Sequence, residues 1–120
     1  MRFLTIALFL LATGAASAEE KPAAVMGHGM ATCAEFAKVY RESPTEKTEI
    51  TFFVWAQGYM SGLNLVQYNL KKPRHDLNAW SISDQESHIR HFCEEKPLSE
   101  YLFAVLSLFN ALPEIPPNSN

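Results

Sequence analysis

The sequence predicts an all-α fold: a small four-segment helical bundle with one disulfide. Three observations predict it. Apolar residues recur at helical spacing in four separate stretches. Capping residues or prolines bound each stretch. The chain carries only Cys33 and Cys93, and it opens like an exported protein.

Residues 1–18 read as a signal peptide. Arg2 gives the positive end, Phe3 to Leu11 the apolar stretch, and Ala16-Ser17-Ala18 the small-residue cleavage site. The apolar stretch is short for a bilayer span, and no second run of about 20 apolar residues follows. The expected mature protein is periplasmic, cleaved near Ala18, with no membrane span. In that oxidising space an isolated cysteine pair favours a disulfide over a metal site or a redox motif. Two free buried thiols are the alternative.

The 120-residue chain has a formal charge of −3, and cleavage removes the positive Arg2. This acidity argues against nucleic acid as a partner. Residues 19–31, rich in Ala, Gly, Lys and Glu, show no sustained period and read as a flexible arm. The helical domain spans 32–112. Thr32 and Glu35 fit a capping box, and Cys33, Phe36, Ala37 and Tyr40 share one face of a helix running to about Arg41.

Ser43-Pro44-Thr45-Glu46 signals a second helix start. Phe52, Phe53, Ala56, Tyr59, Met60, Leu63 and Val66 then form a helical stripe within Glu49 to Leu70. The run Ile50 to Trp55 also suits a strand, but the period continues for several turns beyond it. Gly58 and Gly62 lower helix propensity, so the expectation is close helix packing at that face. Lys71 to Asp76 reads as an exposed basic loop.

Ser83 and Glu86 repeat the capping-box spacing before a third helix, Asp84 to Glu95, with Ile89, Phe92 and Cys93 inward. Pro97 ends it and starts a fourth, whose period runs from Leu98 to Leu112. Pro113, Pro116 and Pro117 stop that helix, so residues 113–120 read as a disordered tail.

No nucleophile elbow, phosphate loop or zinc-protease motif is present. His88 and His91, with Glu94 three residues on, have a spacing that could ligate a metal. A closed site usually needs four protein ligands, so the expectation is no metal, no cofactor and no catalytic residue. Glu94 and Glu95 diverge by about 100° on a helix and cannot converge as an acid–base pair. Trp55, Tyr59 and Trp80 could line a binding site; the first two also fit a core.

Three segments together resemble the HdeA/HdeB family of periplasmic acid-stress chaperones. They are Thr32-Cys33-Ala34-Glu35-Phe36, Trp55-Ala56-Gln57-Gly58-Tyr59, and Phe92-Cys93-Glu94-Glu95-Lys96-Pro97-Leu98. The resemblance covers Thr32 to Leu112. It implies that Cys33 and Cys93 form the family's single disulfide. It also implies a folded dimer at neutral pH that acid loosens, exposing apolar surface to unfolding client proteins. Phe52, Phe53, Trp55, Tyr59, Met60 and Trp80 are the apolar candidates for such contacts. Protonated carboxylates would leave the Lys and Arg residues with four His as a strong self-repulsion. The Gly58-Tyr59-Met60-Ser61-Gly62 element is also similar to small helical immunity proteins that neutralise type VI secretion effectors. Those usually carry a cysteine near the Gly-Tyr, where this chain has Gln57. An immunity protein with one specific partner is therefore the second expectation.

Overall fold

The computed structural model describes residues 25–42 and 46–119. The signal peptide, the first part of the arm and the Ser43-Pro44-Thr45 start signal lie outside the described residues. The fold is mostly helical: α1 (Cys33–Glu42), α2 (Glu46–Asn69), α3 (Ile82–Glu95) and α4 (Tyr101–Ala111). A short 3-10 turn, Gly27–Met30, precedes α1. Two short strands, β1 (Arg74–His75) and β2 (Glu114–Ile115), pair antiparallel with Arg74 opposite Ile115.

The Cys33–Cys93 disulfide is present and buried, and it ties α1 to α3. Around it Phe36, Phe52, Phe53, Met60, Ile89, Tyr101, Val105 and Leu108 form one core. These are the inward positions of four helical periods, so the apolar spacing alone brings them together.

Local chemistry sets the helix ends. Thr32 N–H donates to Glu35 Oε2 at 2.6 Å and Glu35 N–H to Thr32 Oγ1 at 3.1 Å, completing the expected capping box. Two further amides of α1 are taken by the α3–α4 turn: Cys33 N–H donates to Ser99 O at 2.7 Å and Ala34 N–H to Pro97 O at 2.9 Å. Those carbonyls face α1, so residues 97–100 form a turn and α4 begins at Tyr101 rather than Leu98. Leu98 is 92% exposed. The start of α3 also differs from the sequence expectation. Ser81, not Ser83, is the cap, accepting from Asp84 N–H at 3.1 Å. The earlier start buries Gln85, whose Nε2 donates to Leu77 O and Trp80 O and holds the linker down.

At its other end α2 stops in a Schellman motif, with Lys72 N–H donating to Gln67 O and Lys71 N–H to Tyr68 O. Lys71 takes the left-handed position at φ 53°. The following segment is not simply an exposed basic loop. Asn64 clamps the His75 backbone from both sides, donating to its carbonyl at 2.7 Å and accepting from its N–H at 2.8 Å. The His75 ring lies against Phe109 and bonds Leu112 O at 2.8 Å. The segment after α4, read from its prolines as disordered, instead supplies β2. Pro113 O accepts from Asp76 N–H at 2.8 Å, and Arg74 Nη2 donates to Ser119 O at 3.0 Å. Proline ends a helix but leaves its own carbonyl free to accept.

At 24 residues α2 is the longest helix, about 36 Å at the standard rise. It overhangs the shorter helices. Its stripe is therefore buried at Phe52, Phe53, Ala56 and Met60, half-buried at Tyr59 and Leu63 and exposed at Val66.

Candidate functional site

The first turns of α2 place Phe52, Trp55, Ala56 and Tyr59 on neighbouring positions of one side. Phe36 of α1 and Tyr101 of α4 close on them. Ring centroids of Phe36, Phe52 and Tyr101 lie 4.9–5.2 Å apart in tilted and edge-on arrangements. Trp55 stacks on Tyr59 at 5.2 Å. Aromatic pairs in these geometries add stabilisation beyond their buried area. Burial, and then the charges of Glu49 and Glu86, push the Tyr101 hydroxyl far above the ordinary tyrosine range.

The segment before α1 covers this cluster. Trp55 Nε1–H donates to Met26 O at 3.0 Å. The His28 ring stacks on Phe52 at 4.2 Å. Gly29 lies flat on the indole: a Cβ there would sit 2.2 Å from Trp55 Cη2. Gly27 has φ +79°, a conformation that glycine adopts at no steric cost. Ala31 O accepts from Tyr101 N–H at 2.8 Å. The second half of the segment read as a flexible arm is thus a strap seated on aromatic rings. The Gly-His-Gly spacing was its available signal, because two glycines around one ring suit a close approach to a flat surface.

Beside the cluster, α2 and α3 leave a groove of about 490 Å³, lined by Ile50, Phe53, Val54, Gln57 and Ile82 with Glu49, Glu86 and Arg90. Arg90 Nε and Nη2 donate to the two Glu49 carboxylate oxygens at 2.5 and 2.6 Å. This bidentate pair raises the Arg90 pKa above its ordinary value. Arg90 also lies over the Tyr40 ring, whose hydroxyl donates to Glu94 Oε1 at 3.1 Å. Burial, followed by the Glu94 hydrogen bond, raises the Tyr40 pKa. Sequence spacing did not single out Glu49 and Arg90, since they lie 41 residues apart.

The apolar candidates divide. Phe52, Phe53 and Met60 are core residues, buried to 6%, 3% and 0% exposure. Trp55, Tyr59 and Trp80 are half-buried against that core. Trp80 lies on the other flank, 5.8 Å from the His88 ring. The close helix packing expected at Gly58 and Gly62 is absent. Both are exposed, with nothing within 4 Å of a Cβ built at either. No helix crosses there because the face they occupy looks away from the bundle.

His88 and His91 do not converge with Glu94. His88 Nε2 bonds Ser107 Oγ of α4 at 3.0 Å, His91 pairs with Glu95 at 3.5 Å, and Glu94 serves Tyr40. Among the described residues no group of three or more metal-ligating side chains comes together. Desolvation, and then repulsion from His91, lowers the His88 pKa below its ordinary value. Among the described residues no helix is long and apolar enough to cross a membrane.

The class these features define is a disulfide-tied helical bundle with a strapped aromatic cluster and an ion-paired groove. No family model, curated protein or solved structure matches the chain.

Proposed function

We propose that this protein acts by binding rather than catalysis, as a periplasmic acid-responsive holdase that exposes its aromatic core to unfolding clients at low pH. One observation carries the reading: among the described residues the side-chain ties from helix to helix run through carboxylates and a histidine, whereas one tie is covalent. The Glu49 carboxylate holds α2 to α3 through Arg90, and the Glu94 carboxylate holds α3 to α1 through the Tyr40 hydroxyl. Glu35 and Asp84 complete the local caps of α1 and α3. A hydrogen bond to a carboxylate owes much of its strength to the charge.

His88 adds a second acid-sensitive element. Its folded pKa is depressed, so the native state favours the neutral ring. The corresponding stability is present above the unfolded value of about 6.5 and is lost as pH falls from there through the folded value. The Cys33–Cys93 bond has no proton to gain and keeps α1 beside α3 throughout. A chain loosened by acid but still stapled can expose Phe52, Trp55 and Tyr59 and refold on neutralisation.

The test is light scattering of an aggregating client near pH 3. Suppression at substoichiometric-to-equimolar amounts supports the holdase; undiminished aggregation rejects it. A second reading, an immunity or interaction protein with one partner, is favoured by the groove already open in the folded state. Ile50, Val54 and Ile82 are 49%, 60% and 58% exposed along it. A single stoichiometric partner captured at neutral pH, with no activity in acid, would select that reading.

A further inference from the structure

The strap sits on the aromatic cluster as a bound peptide would. Met26 is extended, at φ −121° and ψ 163°, and gives its carbonyl to the Trp55 indole N–H at 3.0 Å. His28 offers a ring to Phe52. Gly29 presents bare backbone to the indole face, where no side chain fits. One donor to a main-chain carbonyl, one ring slot and one surface restricted to glycine together make a recognition pattern. Beyond Val25 and Met26 an open trough of about 440 Å³ continues over Val54, Trp55, Gly58 and Tyr59. The bare Gly58 helps keep its floor clear, which gives that glycine a role other than helix packing.

We infer that Trp55, Phe52 and the trough beside them form a peptide-binding site, filled in cis by residues 26–30 and open to segments of other chains when the strap leaves. The segment it takes has one extended residue followed by a 3-10 turn, with a planar ring flanked by glycines. Ala31, held by Tyr101 N–H next to the stapled Cys33, is where the strap hinges. This inference deepens the holdase reading by naming the surface and the segment class, but its test is made at neutral pH.

The full chain carrying Trp80→Phe, which leaves Trp55 as the sole indole, is compared with and without Gly29→Val. The probe is a capped synthetic peptide of residues 25–31, followed by Trp55 emission. In the Gly29→Val chain the peptide is expected to bind saturably. In the chain with the intact strap, binding needs at least about tenfold more peptide, because the competent state is only fractionally populated. The same peptide carrying Gly29→Val does not bind.

Absence of saturable binding to a Gly29→Val chain that retains its helical circular dichroism overturns the site. If that chain is unfolded, His28→Ala introduces no clash and carries the same titration, with the same overturning result. Client scattering in acid is read separately, so peptide binding can fail while the holdase stands, and the reverse.

Discussion

The two halves of α2 are held in place by different chemistry. From Phe52 to Met60 the helix is fixed by aromatic packing, by the strap and by the Glu49–Arg90 pair. Beyond Gly62 it leaves the core, with Leu65 at 61% and Tyr68 at 59% exposure, and a neutral amide clamp from Asn64 secures it to the His75 backbone. The first half buries the larger apolar area but depends on charge and on the staple. The second half is secured by the Asn64 clamp, an amide bonded to backbone with no charge in it. Acid should therefore open the molecule from its aromatic half while the β1–β2 end keeps its pairing longer.

The largest effect should come from removing the staple. Replacing both Cys33 and Cys93 with alanine frees a loop of 60 residues. On the chain-entropy model this costs about 4 kcal/mol. The urea midpoint at pH 7 measures it, and a loss well under half that would mean that α1 docks without covalent help. Asn64→Leu comes next. It leaves the half-buried His75 N–H and C=O without their partner, a loss of about 1–3 kcal/mol. Hydrogen exchange should then rise around β1 and leave the aromatic half unchanged.

A smaller loss, about 1 kcal/mol or less, is expected for Glu49→Gln, because the Arg90 side chain it pairs with is 40% exposed. Its diagnostic feature is salt: the difference from the parent chain should shrink as ionic strength rises. His88→Gln should flatten the fall in stability between about pH 7 and pH 5, since the parent loses stability as its depressed histidine is forced to protonate. Parallel slopes for the two chains would remove His88 from the acid response. Gly58→Ala, last in size, should raise stability by about 0.5–1 kcal/mol, because the site is helical and open. The opposite sign would restore the expectation of close helix packing at that face.

The helical domain was legible because its signals are local and repetitive. Four apolar periods, the Thr32–Glu35 box and the prolines placed the helices to within a few residues. What the sequence hid depends on partners distant along the chain. The Leu98 turn is shaped by α1 amides that need the Pro97 and Ser99 carbonyls. The Arg74–His75 strand exists only because Glu114–Ile115 returns to it. The glycines were the sharpest lesson. Gly58 and Gly62, four apart on a helix, suggested a close approach and have none. Gly27 and Gly29, in a segment without a period, make the closest approach among the glycines described. A helical glycine can simply be solvated, whereas a glycine two residues from another can mark a backbone lying flat on a ring.

In this mechanism acid releases aromatic packing while the covalent tie holds the chain together. Paired near- and far-ultraviolet circular dichroism of the oxidised protein, titrated from pH 7 to about pH 2 and back, tests it most directly. The aromatic near-ultraviolet signal should disappear, most helical signal should stay, and both should return on neutralisation. An aromatic signal unchanged to the lowest pH, or a loss that does not reverse with the disulfide intact, would contradict it.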